Sequence, residues 1–390
     1  MIEFEQARRE VLKRARPLGT QRVPVARCLG RVLARIVRSP LDLPPFDRSA
    51  MDGYALGVPA KTLLCVGGIG AGERFFRTVR RGECVRIMTG APLPRGADRV
   101  VKVEDTDGWK PAGARVVLRA LPSKEQNVRR RAEELRRGAP VLERGRLIRG
   151  PEAALLASLG FAQAEFYRLP RVSVLCTGDE VVEPGRRLRP GAVYNGNGPM
   201  LCALLSAAGF PSRYLGVVRD EPKALKRKVA EGLRGDVLLV NGGVSAGKFD
   251  LVPSTLAAAG VRKVFHKVRV KPGKPLFFGM RGKTLVFGMP GNPVSTFTSF
   301  TLFVMPALRG LSGLPSGLKT LQAPLAGAIR HETGRLDFVP ARMEGEGVRP
   351  VQGYRGSADI ASLSKADRFV MASGERASFG RGTLVDVLPW

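Results

Sequence analysis

Two apolar segments of this chain each run straight into a glycine-rich polar turn: DVLLVNGGVSAGKFD at residues 236–250 and KTLVFGMPGNPVSTF at residues 283–297. Glycine lets the backbone approach an anion closely, and a following helix N-terminus presents free N–H groups to it. The first turn is neither a Walker A loop nor a G-x-G-x-x-G fingerprint, and by itself it reads as a tight turn. The second is rarer. Pro290 and Pro293 make its loop rigid, and Gly291 and Asn292 supply backbone and amide donors. Three carboxylates, Glu180, Asp220 and Asp250, also follow strand-like segments. Hard oxygen donors of this kind suit Mg2+, which bridges carboxylates and substrate phosphates. A carboxylate at such a place also caps a helix or a turn, but three at strand ends are harder to assign to capping alone. Opposite in sign stands KVRVKPGKP at residues 267–275. Its alternation predicts a strand with Lys267, Arg269 and Lys271 on one face, followed by Lys274 in a Pro-Gly turn. Such a cluster serves an oxyanion, or else a solvated basic strand.

These groups need a scaffold that gathers them. From residue 171 onward strand-like and helix-like segments alternate: VSVLC, PMLCALLSAAG, SRYLGVVRD, EPKALKRKVAEGLRG, DVLLV, DLVPSTLAAAG and TLVFGM. Alternation of this kind predicts a parallel, doubly wound α/β sheet, with Glu180, Asp220 and both turns along the edge where strands end. Upstream, residues 3–16 read as a helix and residues 22–37 as alternating strand. Residues 46–137 read as a compact β-rich domain, and a helix follows at residues 150–159 with Pro151 in its first turn. After residue 314 the strand-like pieces LQAPLAGAI, LDFVPARMEG, VRPVQGY and GTLVDVLP predict a small β-barrel-like or sandwich domain. The expected domains are 1–45 with 138–170, 46–137, 171–312 and 313–390.

Composition narrows the function classes. At 390 residues the chain exceeds what one core usually serves. Five cysteines without C-x-x-C spacing argue against a disulfide framework or zinc site and for buried free thiols. Only two histidines, His266 and His331, leave little room for a His-based metal site or a Ser-His-Asp triad. The net charge of +30 attracts polyanions, yet the basic residues are dispersed and aromatics make up only 6%. A solvated arginine-rich surface is the expectation, and a nucleic-acid partner is not. The apolar stretch at residues 297–308 is too short and too polar to cross a bilayer. The amphipathic, charged N-terminus is no signal peptide, so a cytoplasmic protein without a membrane partner is expected. PPFDRSAMDGYA at residues 44–55, with Asp52 in an Asp-Gly turn, and Thr89 in MTGAPLP read as structural turns on sequence alone.

Taken in order, PPFDRSAMDGYA, RIMTGAPLPRGAD, VRRRAEELRRG, LCTGDEV, NGNGPML, VVRDE, NGGVSAGKFD, VKPGKP, GMPGNPVS and GRLDF resemble the molybdopterin molybdenumtransferase (MoeA) family, related to the gephyrin E domain. The resemblance covers the chain from end to end. It implies four domains, a homodimer with its active site between subunits, and a reaction in molybdenum cofactor biosynthesis. Molybdate is inserted into adenylylated molybdopterin, Mg2+ assists, and the adenylate is cleaved to release AMP. It also implies roles position by position. Asp52 and Thr89 reach a partner subunit's pocket. Glu180, Asp220 and Asp250 line that pocket and hold the metal or position water. Lys267, Lys271 and Lys274 bind phosphate or molybdate. Gly242, Gly243 and Ser245 contact the pterin or its phosphate, Pro290 and Pro293 shape the rigid loop with Gly291 and Asn292, and Arg335 in GRLDF contributes from the C-terminal domain. The molybdopterin adenylyltransferase that prepares the substrate is a further expected partner. That enzyme shares the sheet domain but lacks the SAMDGYA domain and the C-terminal module. Molybdate and tungstate are too alike for these residues to separate. Two departures stand out: the family's Gly-Glu-Asp after the arginines reads Ala132-Glu133-Glu134 here, and Lys248 stands where many relatives carry an acidic or small residue.

Overall fold

The structure, a computed structural model, describes residues 1–244 and 251–390. Two compact units divide the chain: Met1–Ala34, Leu147–Arg149 and Gln163–Trp390 in one, Arg35–Arg146 and Gly150–Ala162 in the other.

The second unit is built on a five-stranded sheet of β1 (Gly53–Leu56), β2 (Thr62–Ile69), β3 (Glu83–Ile87), β4 (Arg99–Lys102) and β5 (Arg115–Val117), in the order β4-β1-β3-β2-β5. β2 and β3 run parallel and the other pairs antiparallel. Strand alternation sends neighbouring residues to opposite faces. Tyr54 therefore packs with Leu63, Cys65, Val101 and Val116 on one face, and Ala55 with Ile69, Val85, Ile87 and Val100 on the other. At Gly53 a Cβ would lie 1.9 Å from the Val101 carbonyl oxygen, so no other residue lets β1 pair with β4 here. This is a structural reason for the glycine of SAMDGYA. The helix expected at 150–159 is Gly150–Ser158.

The first unit carries a six-stranded sheet: β6 (Val172–Thr177), β7 (Ser212–Val218), β8 (Val237–Asn241), β9 (Arg262–His266), β10 (Phe277–Arg281) and β11 (Thr284–Met289), ordered β7-β6-β8-β11-β10-β9. β7, β6, β8 and β11 are parallel, as the alternation predicted. β10 and β9 are antiparallel additions, so the sheet is mixed rather than wholly parallel. The helices Asn197–Ala207 and Pro222–Gly232 fall between β6, β7 and β8 in the chain, and Val252–Ala258 follows β8. An apolar core joins Phe278 and Phe287 of the sheet to Phe4 of the helix Phe4–Arg14 and to Phe300 and Phe303. The latter two lie in Pro293–Leu311, a helix long and apolar enough to cross a membrane by composition. The stretch is longer than its apolar run suggested, and 83% of it is buried within the fold, as befits a core helix.

The C-terminal strands form a second sheet in this unit: β12 (Leu321–Pro324), β13 (Leu336–Glu344), β14 (Gly347–Pro350), β15 (Arg368–Ala372) and β16 (Leu384–Pro389). Its path runs β13-β15-β16-β12, β14 pairs with β13, and Val270–Lys271 adds to β13 in parallel. β15, central to this sheet, has no counterpart among the segments expected from sequence. Residues 22–37 are also less regular than their alternation: the strand is Thr20–Pro24, followed by a 3-10 turn at Val25–Arg27. The predicted basic strand is broken as well. β9 ends at His266, Lys267 has a left-handed φ of 71°, and Lys271 precedes a cis peptide to Pro272.

Ala132, where the family's pattern has glycine, sits at φ 61°. A β-carbon is unfavourable in that region by roughly 1–2 kcal/mol. Ala132→Gly is therefore expected to stabilise its unit by about 0.5–1 kcal/mol after the added chain entropy is counted. Urea denaturation checks this, and a lower midpoint would show that the left-handed backbone is not strained.

Candidate functional site

Because β7, β6, β8 and β11 are parallel neighbours, their carboxyl ends lie side by side. Asp220 follows β7, Glu180 follows β6, Gly242 and Gly243 follow β8, and Pro290–Asn292 follow β11. The geometric part of the expectation is met for these residues. Glu180 is exposed and Asp220 half-buried, with the Asp220 amide donating to Asp179 Oδ1 at 3.3 Å. Asp250 and Ser245 lie outside the described residues. Among the described residues no three His, Cys, Asp or Glu side chains gather as a metal site.

The buried amide of Asn241, the last residue of β8, joins the two glycine-rich turns. Its Nδ2 donates to the Pro290 carbonyl at 2.7 Å and to Thr296 Oγ1 at 2.9 Å. Its Oδ1 accepts from Asn197 Nδ2 at 2.8 Å, which also reaches the Gly291 carbonyl at 2.6 Å. Thr296 Oγ1 in turn lies 2.7 Å from the Pro290 oxygen. Gly242 must come this close to the sheet: it has φ 97°, and a Cβ on it would lie 2.5 Å from the Thr177 carbonyl oxygen. A second network, in which Tyr214 Oη donates to Glu183 at 2.6 Å and accepts from Asn195 at 2.6 Å, ties the segment after Glu180 to β7.

A cavity of about 1170 Å³ opens beside these turns within the first unit. Gly243, Pro290, Gly291 and Asn292 form one wall, the turn from Lys271 to Pro275 another, and residues of the C-terminal sheet the third. Asn292 Nδ2 joins the first wall to the third through a 2.7 Å bond to Ser357 Oγ. Lys271, Lys274, Arg330, Arg335, Arg349 and Arg355 line the cavity, and Asp337 is the one carboxylate among its described lining residues. Arg335 pairs with Glu332 at 3.3 Å, and Arg349 with Glu344. Lys271 lies 3.6 Å from Glu332 and 3.7 Å from Asp337. Asp337 is buried, and that burial pushes its carboxyl up despite Lys271, His331 and Arg335 pulling it down. Lys267 does not line the cavity, and Arg269 turns to Glu3 at 2.7 Å. Of the four predicted cations, two therefore converge with Arg335. Sequence reasoning missed Arg330, Arg349, Arg355 and Asp337, because the strands bringing them here are remote in sequence from the turns. Asp337, two residues past Arg335 in GRLDF, is the one with an adjacent signal.

In the second unit, Asp52 and Thr89 do meet. Asp52 precedes β1, Thr89 follows β3, and both are exposed. Asp52 Oδ1 accepts from the Thr89 amide at 2.6 Å and from its hydroxyl at 2.8 Å. These two bonds hold the Asp52 carboxyl below its usual range. Glu134 forms an ion pair with Arg48 at 3.3 Å. All five cysteines are free, four of them buried, and burial pushes the Cys176 thiol up to about 12.

Fold and cavity together define a multidomain α/β protein with a cation-lined cavity beside its sheet edge. The chain matches the MoeA N-terminal region (domain I and II) over residues 2–160, a probable molybdopterin binding domain over 173–310, and the MoeA C-terminal region (domain IV) over 322–390. It is 33% identical to the molybdopterin molybdenumtransferase of Haemophilus influenzae, covering 100% of this chain and 99% of that one. It is 34% identical to that of Synechococcus elongatus, over 95% and 94% of the two chains. The solved structure of a molybdopterin biosynthesis MoeA protein from Pyrococcus horikosii superposes with a TM-score of 0.83 at 30% identity, covering 100% and 99%. The chain belongs to the MoeA, or molybdopterin molybdenumtransferase, family.

Two outcomes follow from this geometry. Asn241→Ala removes the amide bonds to the Pro290 carbonyl, the Thr296 hydroxyl and Asn197, leaving the first two still bonded to each other, and is expected to destabilise the first unit by about 2–3 kcal/mol in chemical denaturation. A loss under 0.5 kcal/mol would show the two turns are held independently. For Asp52 the folded carboxyl is depressed, so its bonds to Thr89 contribute above the ordinary carboxylate range and are lost as pH falls through the folded value. Thr89→Val keeps the amide and removes the hydroxyl. The Asp52 midpoint, read by carbon NMR, should rise toward its ordinary value, and an unmoved midpoint would discount the hydroxyl.

Proposed function

We propose that the cavity beside the two glycine-rich turns receives the anions of a molybdenum-transfer reaction: molybdate and the phosphate end of adenylylated molybdopterin. The chain is a transferase of molybdenum cofactor biosynthesis, the activity of its family. The single observation that supports this use of the cavity is its charge. Six Lys and Arg side chains meet one described carboxylate there, beside turns whose glycines admit a ligand to the backbone. A unit anion about 4 Å from one such cation gains about 1 kcal/mol in water and about 4 kcal/mol at the intermediate dielectric of a protein surface. Several cations together therefore suit a tetrahedral dianion.

In this reading water attacks the phosphoanhydride of adenylylated molybdopterin so that AMP leaves, and molybdate binds the two dithiolene sulfurs with one oxo group lost as water with the two thiol protons. Lys271, Lys274 and Arg335 hold the oxyanion, while Gly242, Gly243 and Ser245 contact the pterin or its phosphate. The hard oxygens of Glu180 and Asp220 fit Mg2+, with Asp250 as the third expected ligand. Mg2+ bound there would neutralise the phosphate that leaves with the adenylate. Lys267, away from the cavity wall, has no place in this binding set. A homodimer is part of the proposal, with Asp52 and Thr89 of one subunit completing the site of the other. So are the division into four domains, a barrel-like C-terminal domain closed through the Leu325–Val348 bridge, and a cytoplasmic location.

The test is turnover of adenylylated molybdopterin with molybdate and Mg2+, followed by AMP release and active cofactor. Lys274 is exposed and makes no ion pair among the described residues, so Lys274→Ala should fold normally. It is expected to raise the KM for molybdate about tenfold or more, which is about 1.4 kcal/mol of lost binding. Asp250→Ala and chelation of Mg2+ should each abolish AMP release. Molybdopterin binding without turnover by the intact protein would point to a carrier instead.

A further inference from the structure

His331 is a buried ionisable group at this cavity for which binding of a preformed anion supplies no role. Its side chain is 2% exposed, and neither ring nitrogen has a hydrogen-bond partner. The ring stacks on Phe379 at 5.8 Å, and its backbone amide bonds to the Ala377 carbonyl. Asp337 faces it, with Oδ2 3.7 Å from Nδ1. The same Oδ2 lies 3.7 Å from Lys271 Nζ, so one carboxylate is shared between a histidine and a substrate-facing lysine. The other ionisable groups around the pair are Glu332 beside Lys271, Arg335, and Tyr354, itself raised by burial and by Asp337. Arg330, next in sequence, and Arg349 and Arg355 line the same cavity.

We propose that the His331–Asp337 pair takes up a proton when a tetrahedral oxyanion enters the cavity, releasing Lys271 from Asp337 to the anion. This rests on the reading of the cavity as an oxyanion pocket. The physical argument is electrostatic. Without the anion, Lys271 and Arg335 disfavour a proton on Asp337. The anion cancels part of that field, and a negative charge nearby raises the proton affinity of both groups. A protonated pair holds Lys271 less tightly, which frees a cation where the anion needs one. His331 and Asp337 are positioning residues in this scheme, and Lys271 is the group that touches the ligand. Linkage makes the effect reciprocal: a proton taken up on binding means weaker binding as pH rises.

Calorimetry of sodium molybdate into the full-length protein, near neutral pH in two buffers of different ionisation enthalpy, counts the protons. The expected uptake is up to one proton per anion, with affinity falling up to about tenfold per pH unit across the window where the pair titrates. His331→Gln and Asp337→Asn should each bring uptake close to zero and flatten the pH profile. Proton NMR of the unsubstituted protein gives a second readout, since the chain has only two histidines. The His331 midpoint should rise on saturation with molybdate while that of His266 stays in place. Binding with no proton uptake, or with uptake unchanged in both variants and an unmoved His331 midpoint, overturns the proposal and leaves the oxyanion pocket standing. Absence of molybdate binding at any pH overturns the pocket and this proposal together.

Discussion

One side-chain amide holds the two glycine-rich turns in register with each other. Asn241 is buried at the end of a central strand, donates to both the Pro290 carbonyl and Thr296, and accepts from Asn197. Loops at a sheet edge have no ladder to fix them, so their geometry follows whatever polar groups they can satisfy. An amide is the smallest side chain with both donors and an acceptor, and it meets both needs at once. The PGNP loop then leads directly into the long core helix, whose burial anchors the whole wall. A wall held this way keeps its polar donors in place before any ligand arrives.

Charge is the second constraint. A cavity lined by six Lys and Arg side chains is self-repulsive when empty. The structure relieves this by local pairing: Glu332 beside Lys271 and Arg335, Glu344 beside Arg349, and Asp337 shared between Lys271 and His331. Glu332 and Glu344 stand outside the cavity wall, where they temper the repulsion without occupying ligand space. Asp337 is different, since it is buried within the wall and its burial costs free energy. The cavity needs only a few of the chain's 64 Lys and Arg residues. Elsewhere many of them make short-range pairs at the surface, such as Arg130 with Asp47 and Glu125, each worth little by itself.

The parallel strands and the turns that follow them were legible because alternation of apolar and amphipathic segments is a local signal. Asp220, Glu180 and the two turns come together as that pattern implied. The basic segment was misread for an equally physical reason. Alternating Lys and Arg look like one strand face, but a left-handed Lys267 breaks the strand, and Lys271 pairs with the distant β13 instead. The antiparallel β10 and β9, and the strand Arg368–Ala372, carried no clear periodic signal of their own. The Asp52–Thr89 contact joins residues 37 apart, and only strand pairing creates it.

Local chemistry, then, was determined by the sequence itself: glycines where the backbone must turn tightly, prolines where a loop must be stiff, carboxylates after strands, and the ordered motifs that place the chain in its family. Which cations share a cavity, which carboxylate is buried among them, and that His331 has no hydrogen-bond partner were decided only by tertiary structure. The reason is range. Backbone preference and burial pattern act over a few neighbouring residues, whereas the field at an ion site sums charges brought together from strands far apart in the chain.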